Sequence, residues 1–260
     1  MHPMLNIAIR AVRQAGNIMT KYYEKMDSIE SKQKGYHEFM TYVEKETRYQ
    51  MIAIILKSYP QHTIITTDNN TMHTGDQHVQ WIINALDGSI NYIKRLPHFS
   101  ISIAIRIKGR SEIAVVYDPI RNELFRAWRG HGTQLNGYRL RGGMVRDLEK
   151  AILSTNCSFK MNPNASPYIK IIEKIFTQCA DFRRHGSVAL DLAYIASGRI
   201  DGYLAINLAP CDFAAGELLI REAGGLVTDL TGSHDYFYNG NFVSGNVRIV
   251  KALLAHIRVK

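Results

Sequence analysis

The sequence predicts a mixed α+β protein with two sheet layers and helices between and outside them, on three observations. Residues 99–107 alternate with the period of a strand, placing Phe99, Ile101, Ile103, Ile105 and Ile107 on one face and Ser100, Ser102, Ala104 and Arg106 on the other. Two further strand-like segments, 112–117 and 123–128, are joined by Asp118-Pro119-Ile120-Arg121-Asn122, whose Asp-Pro opening is hairpin chemistry, so the first half reads as mostly antiparallel. Past about residue 147, strand-like and helix-like segments alternate instead. The 260 residues, 46% hydrophobic with seven prolines, suffice for one large core or two tightly packed subdomains, expected here as 1–147 and 148–260 of one compact unit.

Each element has a local reason. Residues 1–23 space Leu5, Ala8, Val12, Ala15, Ile18 and Met19 at helical intervals, broken by Arg10, Arg13 and Lys21, which is an amphipathic helix and not a secretory segment. A basic loop at 32–35 precedes a second helix, 40–59, that Pro60 ends. Residues 63–66 form a short strand, and the polar stretch 68–80, with Gly75, is expected to be a loop. The apolar run from Trp81 stops at Asp87-Gly88-Ser89, a buried strand that delivers a polar turn to its end. Asn136-Gly137 marks another tight turn. Later come strands at 151–154, around Phe182, at 201–206, 226–228 and 242–244, with helices at 166–177, 187–196, 212–223 and 248–258. Gly224-Gly225 closes the 212–223 helix, where glycine suits a positive φ.

Composition narrows the function classes. Cys157, Cys179 and Cys211 have neither a close pair nor a CxxC spacing, which argues against a disulfide framework or a zinc site of that type and implies a reducing compartment. No run is long enough to cross a bilayer, so a cytoplasmic protein without membrane contact is expected. Lys and Arg total 32 against 23 Asp and Glu, a formal charge of +9, which favours encounter with anionic partners that weakens with salt. A solvated basic exterior explains the same number.

Chemistry is expected at two places. Asp87 supplies a hard oxygen, Gly88 allows close backbone approach to an anion, and the N–H groups of Ser89 and Ile90 can face a phosphate. An ordinary Asp-Gly turn would carry the same residues. Asp212 stands at a helix start, where free N–H groups and the dipole favour a carboxylate, as a simple cap or as part of a site.

These segments carry a resemblance. Leu86-Asp87-Gly88-Ser89, the helix run Cys211-Asp212-Phe213-Ala214-Ala215-Gly216-Glu217 and the helix start Gly186-Ser187-Val188-Ala189-Leu190-Asp191 resemble the inositol monophosphatase family over nearly the whole chain. Residues 61–66, 94–99, 117–119 and 122–125 are similar, more narrowly, to a bacterial branch whose members serve as Nus factors. The family resemblance implies a layered αβαβα sandwich, a homodimer, and Mg²⁺-dependent hydrolysis of myo-inositol 1-phosphate by two or three ions held on carboxylates. It implies Asp87, Asp212 and the Leu86 carbonyl as metal ligands, Ser89 as an aid to the attacking water, and Gly88, Ser89, Gly186 and Ser187 as substrate-binding positions.

Against that pattern the sequence departs where the chemistry is most demanding. Thr67 and Asp68 stand where the family has a Glu-Glu pair, and Asn84 stands where an aspartate bridges two metals. Ala205 replaces an acidic residue that holds sugar hydroxyls, Cys211 replaces a tryptophan, and Glu38, Thr41 and Glu44 stand in for an Asp-x-x-Thr-x-x-Asp signature. Neutral oxygens cannot replace the ionic attraction for Mg²⁺, so one weak site is expected and a full two-metal centre is not. Compensation by Asp68 and by the Asn84 amide oxygen would instead leave an inositol-1-monophosphatase of weak residual activity. The branch implies a Nus factor in ribosomal RNA transcription antitermination and rRNA maturation, with NusA and the RNA polymerase antitermination complex as partners. Arg183-Arg184-His185 and Lys94-Arg95 are basic clusters that fit a partner contact, a dimer interface or plain solvation. Any RNA contact is expected to be weak, salt-sensitive and made through the complex.

Overall fold

The computed structural model describes residues 2–25, 36–66, 71–73, 75–156 and 165–258. Two long helices, α1 (Pro3–Glu24) and α2 (Tyr36–Ser58), open it. Pro3 occupies the first turn of α1, where its missing N–H costs nothing, and the His2 ring accepts from the Met4 N–H at 3.2 Å. Leu5, Ala8, Val12, Ala15 and Met19 form the buried stripe that their spacing predicts.

The first sheet contains β1 (His62–Ile65), β2 (Thr71–His73), β3 (Asp76–Asp87), β4 (Ser100–Ile107), β5 (Arg110–Asp118), β6 (Glu123–Trp128), β7 (Thr133–Leu135) and β8 (Tyr138–Arg139), with the short helix α3 (Ser89–Ile93) between β3 and β4. Its order is β2-β1-β3-β4-β5-β6-β7-β8, antiparallel apart from the β1–β3 pair. The expected loop at 68–80 is therefore corrected, because β2 and the first five residues of β3 lie inside it. Asp76, Gln77 and His78 are exposed and show no apolar pattern. Backbone pairing makes this part of the strand, with Asp76 opposite His62 of β1 and the His78 carbonyl accepting from the Lys108 N–H at 2.7 Å.

In the second sheet, β9 (Ile152–Asn156), β10 (Asp181–Arg183), β11 (Gly202–Ala205), β12 (Leu226–Thr228) and β13 (Phe242–Gly245) run in the order β10-β9-β11-β13-β12. Strand β9 pairs parallel with β10 and β11, and β13 pairs antiparallel with β11 and β12. Around it lie α4 (Ala165–Phe176), α5 (Val188–Ala196), α6 (Pro210–Glu222), α7 (Tyr236–Asn239) and α8 (Val247–Arg258). Helix α6 begins two residues before Asp212, which is its third helical position and not its first.

Three cores sort these elements into five layers. Helices α1 and α2 pack on one face of the first sheet through Trp81, Ile83, Ile101 and Ile103. Its other face, with Ile82, Ala104 and Val116, meets α5 and α6, which also cover Tyr203 and Phe242 of the second sheet. Leu153, Leu204 and Val243 on the far side of that sheet pack with Tyr168 and Ile175 of α4 and Ile249 and Leu253 of α8. The fold is the αβαβα sandwich. Residues on both sides of position 147 share the middle core, which sits between the two sheets.

Candidate active site

A bulge at the end of β3 builds the site. Asn84 pairs with Ser102 and Asp87 with Ser100, so three steps along β3 match two along β4. In a regular strand Asn84 and Asp87 would face opposite ways. The extra residue turns Ala85 and Leu86 together into the α1/α2 core and leaves Asn84 and Asp87 on the same side, facing the middle layer. Gly88 then takes a left-handed conformation, φ 90°, and Ser89 begins α3. A Cβ at Gly88 would come within 3.0 Å of the His98 carbonyl oxygen, so only glycine suits this turn.

The middle layer answers with two helix N-termini. Asp87 Oδ2 accepts from the Ser187 hydroxyl at 2.6 Å and from the Ala189 N–H at 2.8 Å, at the start of α5. Ser187 is also 3.2 Å from the Ser100 hydroxyl. From α6, Asp212 Oδ2 accepts from the Ala209 N–H at 3.1 Å, while Oδ1 faces the Asn84 Nδ2 at 3.4 Å. Gly186 takes φ 91° just before this contact. Asn84, Asp87, Ser187 and Asp212 thus converge from three elements, with Gly88, Ser89 and Gly186 in the adjoining turns.

The electrostatics are those of charge without a counter-charge. Burial and the neighbouring Asp212 carboxylate raise Asp87 to about 7, against the pull of its two hydrogen bonds. Burial also raises Asp212, and raises the Cys211 thiol, whose sulfur lies 3.9 Å from Asp212 Oδ1. Asn84 is 2% exposed and its Oδ1 has no hydrogen-bond partner. An orphaned amide oxygen beside two crowded carboxylates fits one hard divalent cation, which would relieve both defects. Tyr203 is fully buried with its hydroxyl unpartnered, and burial first, then Asp191, Tyr168, Asp87 and Asp212, raise it well above its ordinary value.

Other predicted positions fall differently. Ala205 is wholly buried in β11, paired with Phe242 and Asn156 and packed in the middle core. Leu86 is buried on the helix side of the bulge. Thr67 and Asp68 lie outside the described residues, as do the side chains of Glu38 and Thr41; Glu44 lies 3.9 Å from Arg48, one turn along α2. Sequence reasoning assigned no role to Asn91, Ser100 or Asp191. Ser100 left a trace only as a member of a strand face, and Asp191 only as the last residue of the quoted helix start.

Comparison with known proteins agrees with this geometry. Residues 1–260 match the model of the inositol monophosphatase family. Over 258 residues the chain is 60% identical to the Nus factor SuhB of Escherichia coli strain K12, covering 99% of this chain and 97% of that one. The extragenic suppressor protein suhB from Bartonella henselae superposes with a TM-score of 0.89 at 29% identity, over 99% of this chain and 100% of the other. An inositol monophosphatase from Anabaena (Nostoc) sp. PCC 7120 gives 0.86 at 29% identity, over 98% and 94%.

Proposed function

The chain belongs to the inositol monophosphatase family, and from that premise we propose that it works as a Nus factor in ribosomal RNA transcription antitermination and rRNA maturation, its phosphatase centre reduced to one weak Mg²⁺ position. Identity of 60% to a Nus factor SuhB, spread over nearly the full length of both chains, supports the role. The observation that carries the weakened chemistry is Asn84. It puts a neutral amide, with its Nδ2 turned to Asp212, where the family places a bridging carboxylate.

Asp87, Asp212, the Asn84 Oδ1 and the Leu86 carbonyl are the groups that would hold the ion. Once bound, Mg²⁺ polarises a phosphate ester and lowers the pKa of a bound water. The protein's own contribution is positioning. Ser187 and Ala189 fix Asp87, the bulge brings Asn84 and Asp87 to one side, and the turn at Gly88-Ser89 with Gly186-Ser187 offers small residues to a phosphate. With Thr67 in place of a glutamate, the position lacks the carboxylate that would take a proton from the attacking water.

As partners we propose NusA, the RNA polymerase antitermination complex and a second copy of this chain, with RNA met only weakly through the complex. Both candidate basic clusters have exposed members, Lys94-Arg95 and Arg183-Arg184, although Arg183 also pairs with Asp181 and Arg95 lies over the Tyr23 ring at 5.5 Å. The survival of Asp87, Asp212 and Ser187 favours residual inositol-1-phosphate hydrolysis as the second reading. An assay of inositol 1-phosphate turnover with Mg²⁺ separates the two, comparing the wild type with Thr67→Glu combined with Asn84→Asp. Little or no turnover by the wild type is expected, with a gain in the double variant. A wild-type rate like that of family enzymes overturns the proposed loss.

A further inference from the structure

One turn beyond Ser187, α5 carries Asp191, whose N–H bonds the Ser187 carbonyl at 3.1 Å. Asp191 is 1% exposed. Its Oδ2 accepts from the Ser154 hydroxyl at 2.7 Å, which leaves Oδ1 to two imidazoles. His98 Nε2 lies 3.3 Å from that oxygen and His185 Nδ1 lies 2.9 Å from it. The second nitrogen is buried and close to the carboxylate, but its ring is turned off the line of a good hydrogen bond to it. Burial pushes the Asp191 carboxyl up, but the two rings and Ser154 outweigh it and hold the group below its ordinary value.

We propose that His98, His185 and Asp191 form a three-ligand site for a borderline divalent metal of the Zn²⁺ type, separate from the Asp87/Asp212 oxygens. Their three ligand atoms already lie within 4.8 Å of one another. Tetrahedral Zn²⁺ with bonds of about 2.0–2.1 Å sets its ligand atoms roughly 3.3 Å apart, a spacing near those of the His98–Asp191 and His185–Asp191 pairs, and the two rings would turn toward each other to share the ion. Two imidazoles and one carboxylate select zinc-like ions over Mg²⁺, which prefers an all-oxygen shell.

The surroundings are built for such a load. Asn91 Nδ2 donates to the His98 carbonyl at 2.7 Å and to the His185 carbonyl at 2.6 Å, so one amide ties both histidine backbones. Gly186 makes room for that amide, since a Cβ there would meet Asn91 Nδ2 at 3.1 Å and would be strained at φ 91°. The rings stack with centroids 4.9 Å apart. They are 14% and 25% exposed, whereas Asp191 is sealed, so an ion has a route in and the fourth position opens to solvent. Occupied, the site fastens the loop before α5 to the segment before β4. Each imidazole ligates only through an unprotonated nitrogen, so acid competes with the metal for the site.

The test is calorimetric titration of chelator-stripped full-length protein with ZnCl₂ in excess Mg²⁺. One zinc per chain is expected. His98→Ala and His185→Gln should each weaken it by at least ~100-fold, and Ser154→Ala by ~10–100-fold as an outer-shell loss. Asp212→Asn should leave zinc affinity unchanged. Zinc should raise the melting temperature of the wild type and not that of His98→Ala with His185→Gln. Co²⁺ in the wild type should give the visible absorption of a tetrahedral site, a readout that needs no variant to fold. No zinc uptake at micromolar concentrations, no such cobalt bands, or equal affinity in the histidine variants overturns the site.

Discussion

Asp87 holds a carboxylate where the protein resists charge. Its folded-state value of about 7 exceeds the ordinary 3.8, so the folded chain binds more protons than the unfolded chain between those values. Stability from this group is therefore full below about pH 4 and is lost as the pH rises to about 7. In EDTA, urea unfolding should show the chain less stable at pH 8 than at pH 5, by on the order of 2–4 kcal/mol less whatever other groups contribute. Asp87→Asn, which keeps an acceptor for Ser187 and Ala189, should flatten that slope. Asn84→Asp should do the reverse, steepening it while tightening Mg²⁺ binding by tenfold or more in calorimetry. Asp87 and Asp212 were legible in sequence because each sits in a contiguous motif. His98 and Asp191 are 93 positions apart and meet only through the fold, so the segments that hold them gave no sign of their pairing.

Among the elements, those whose apolar period matches their geometry could be read directly, as in α1 and β4. The exposed start of β3 could not, because it shows no apolar pattern and enters the sheet by backbone pairing, Asp76 opposite His62 of β1. The bulge was equally silent, although it alone explains why Asn84 and Asp87 share a side. Close packing of α5 on α6 depends on Gly216, where a Cβ would meet the Leu192 Cβ at 2.4 Å. Gly216→Ala should lower stability by about 1–3 kcal/mol through overpacking, measured by urea unfolding. The turn after β12 depends on Asp229, which accepts from the Thr231 N–H and hydroxyl, the Ser233 N–H and hydroxyl, and Asn239 Nδ2. Burial works against its charge, but these bonds win and bring it to about 2. Asp229→Ala should cost roughly 2–3 kcal/mol at pH 7, and its gap from the wild type should close as the pH falls from about 4 to about 2.

Across the whole molecule, the five layers place the site where the first sheet meets the N-termini of the two central helices. In that frame Asp87 and Asp212 are held by backbone and hydroxyl donors that need no metal. On the proposed reading the outer surface serves a partner independently of any turnover at the centre. The formal charge of +9 favours encounter with anionic assemblies, and partner binding should weaken with salt. The most direct measurement is capture of NusA by tagged full-length protein, compared with its Asp87→Asn variant at equal folded concentration. Equal capture by both is expected. Capture lost in the variant, or absent from the wild type, would contradict it.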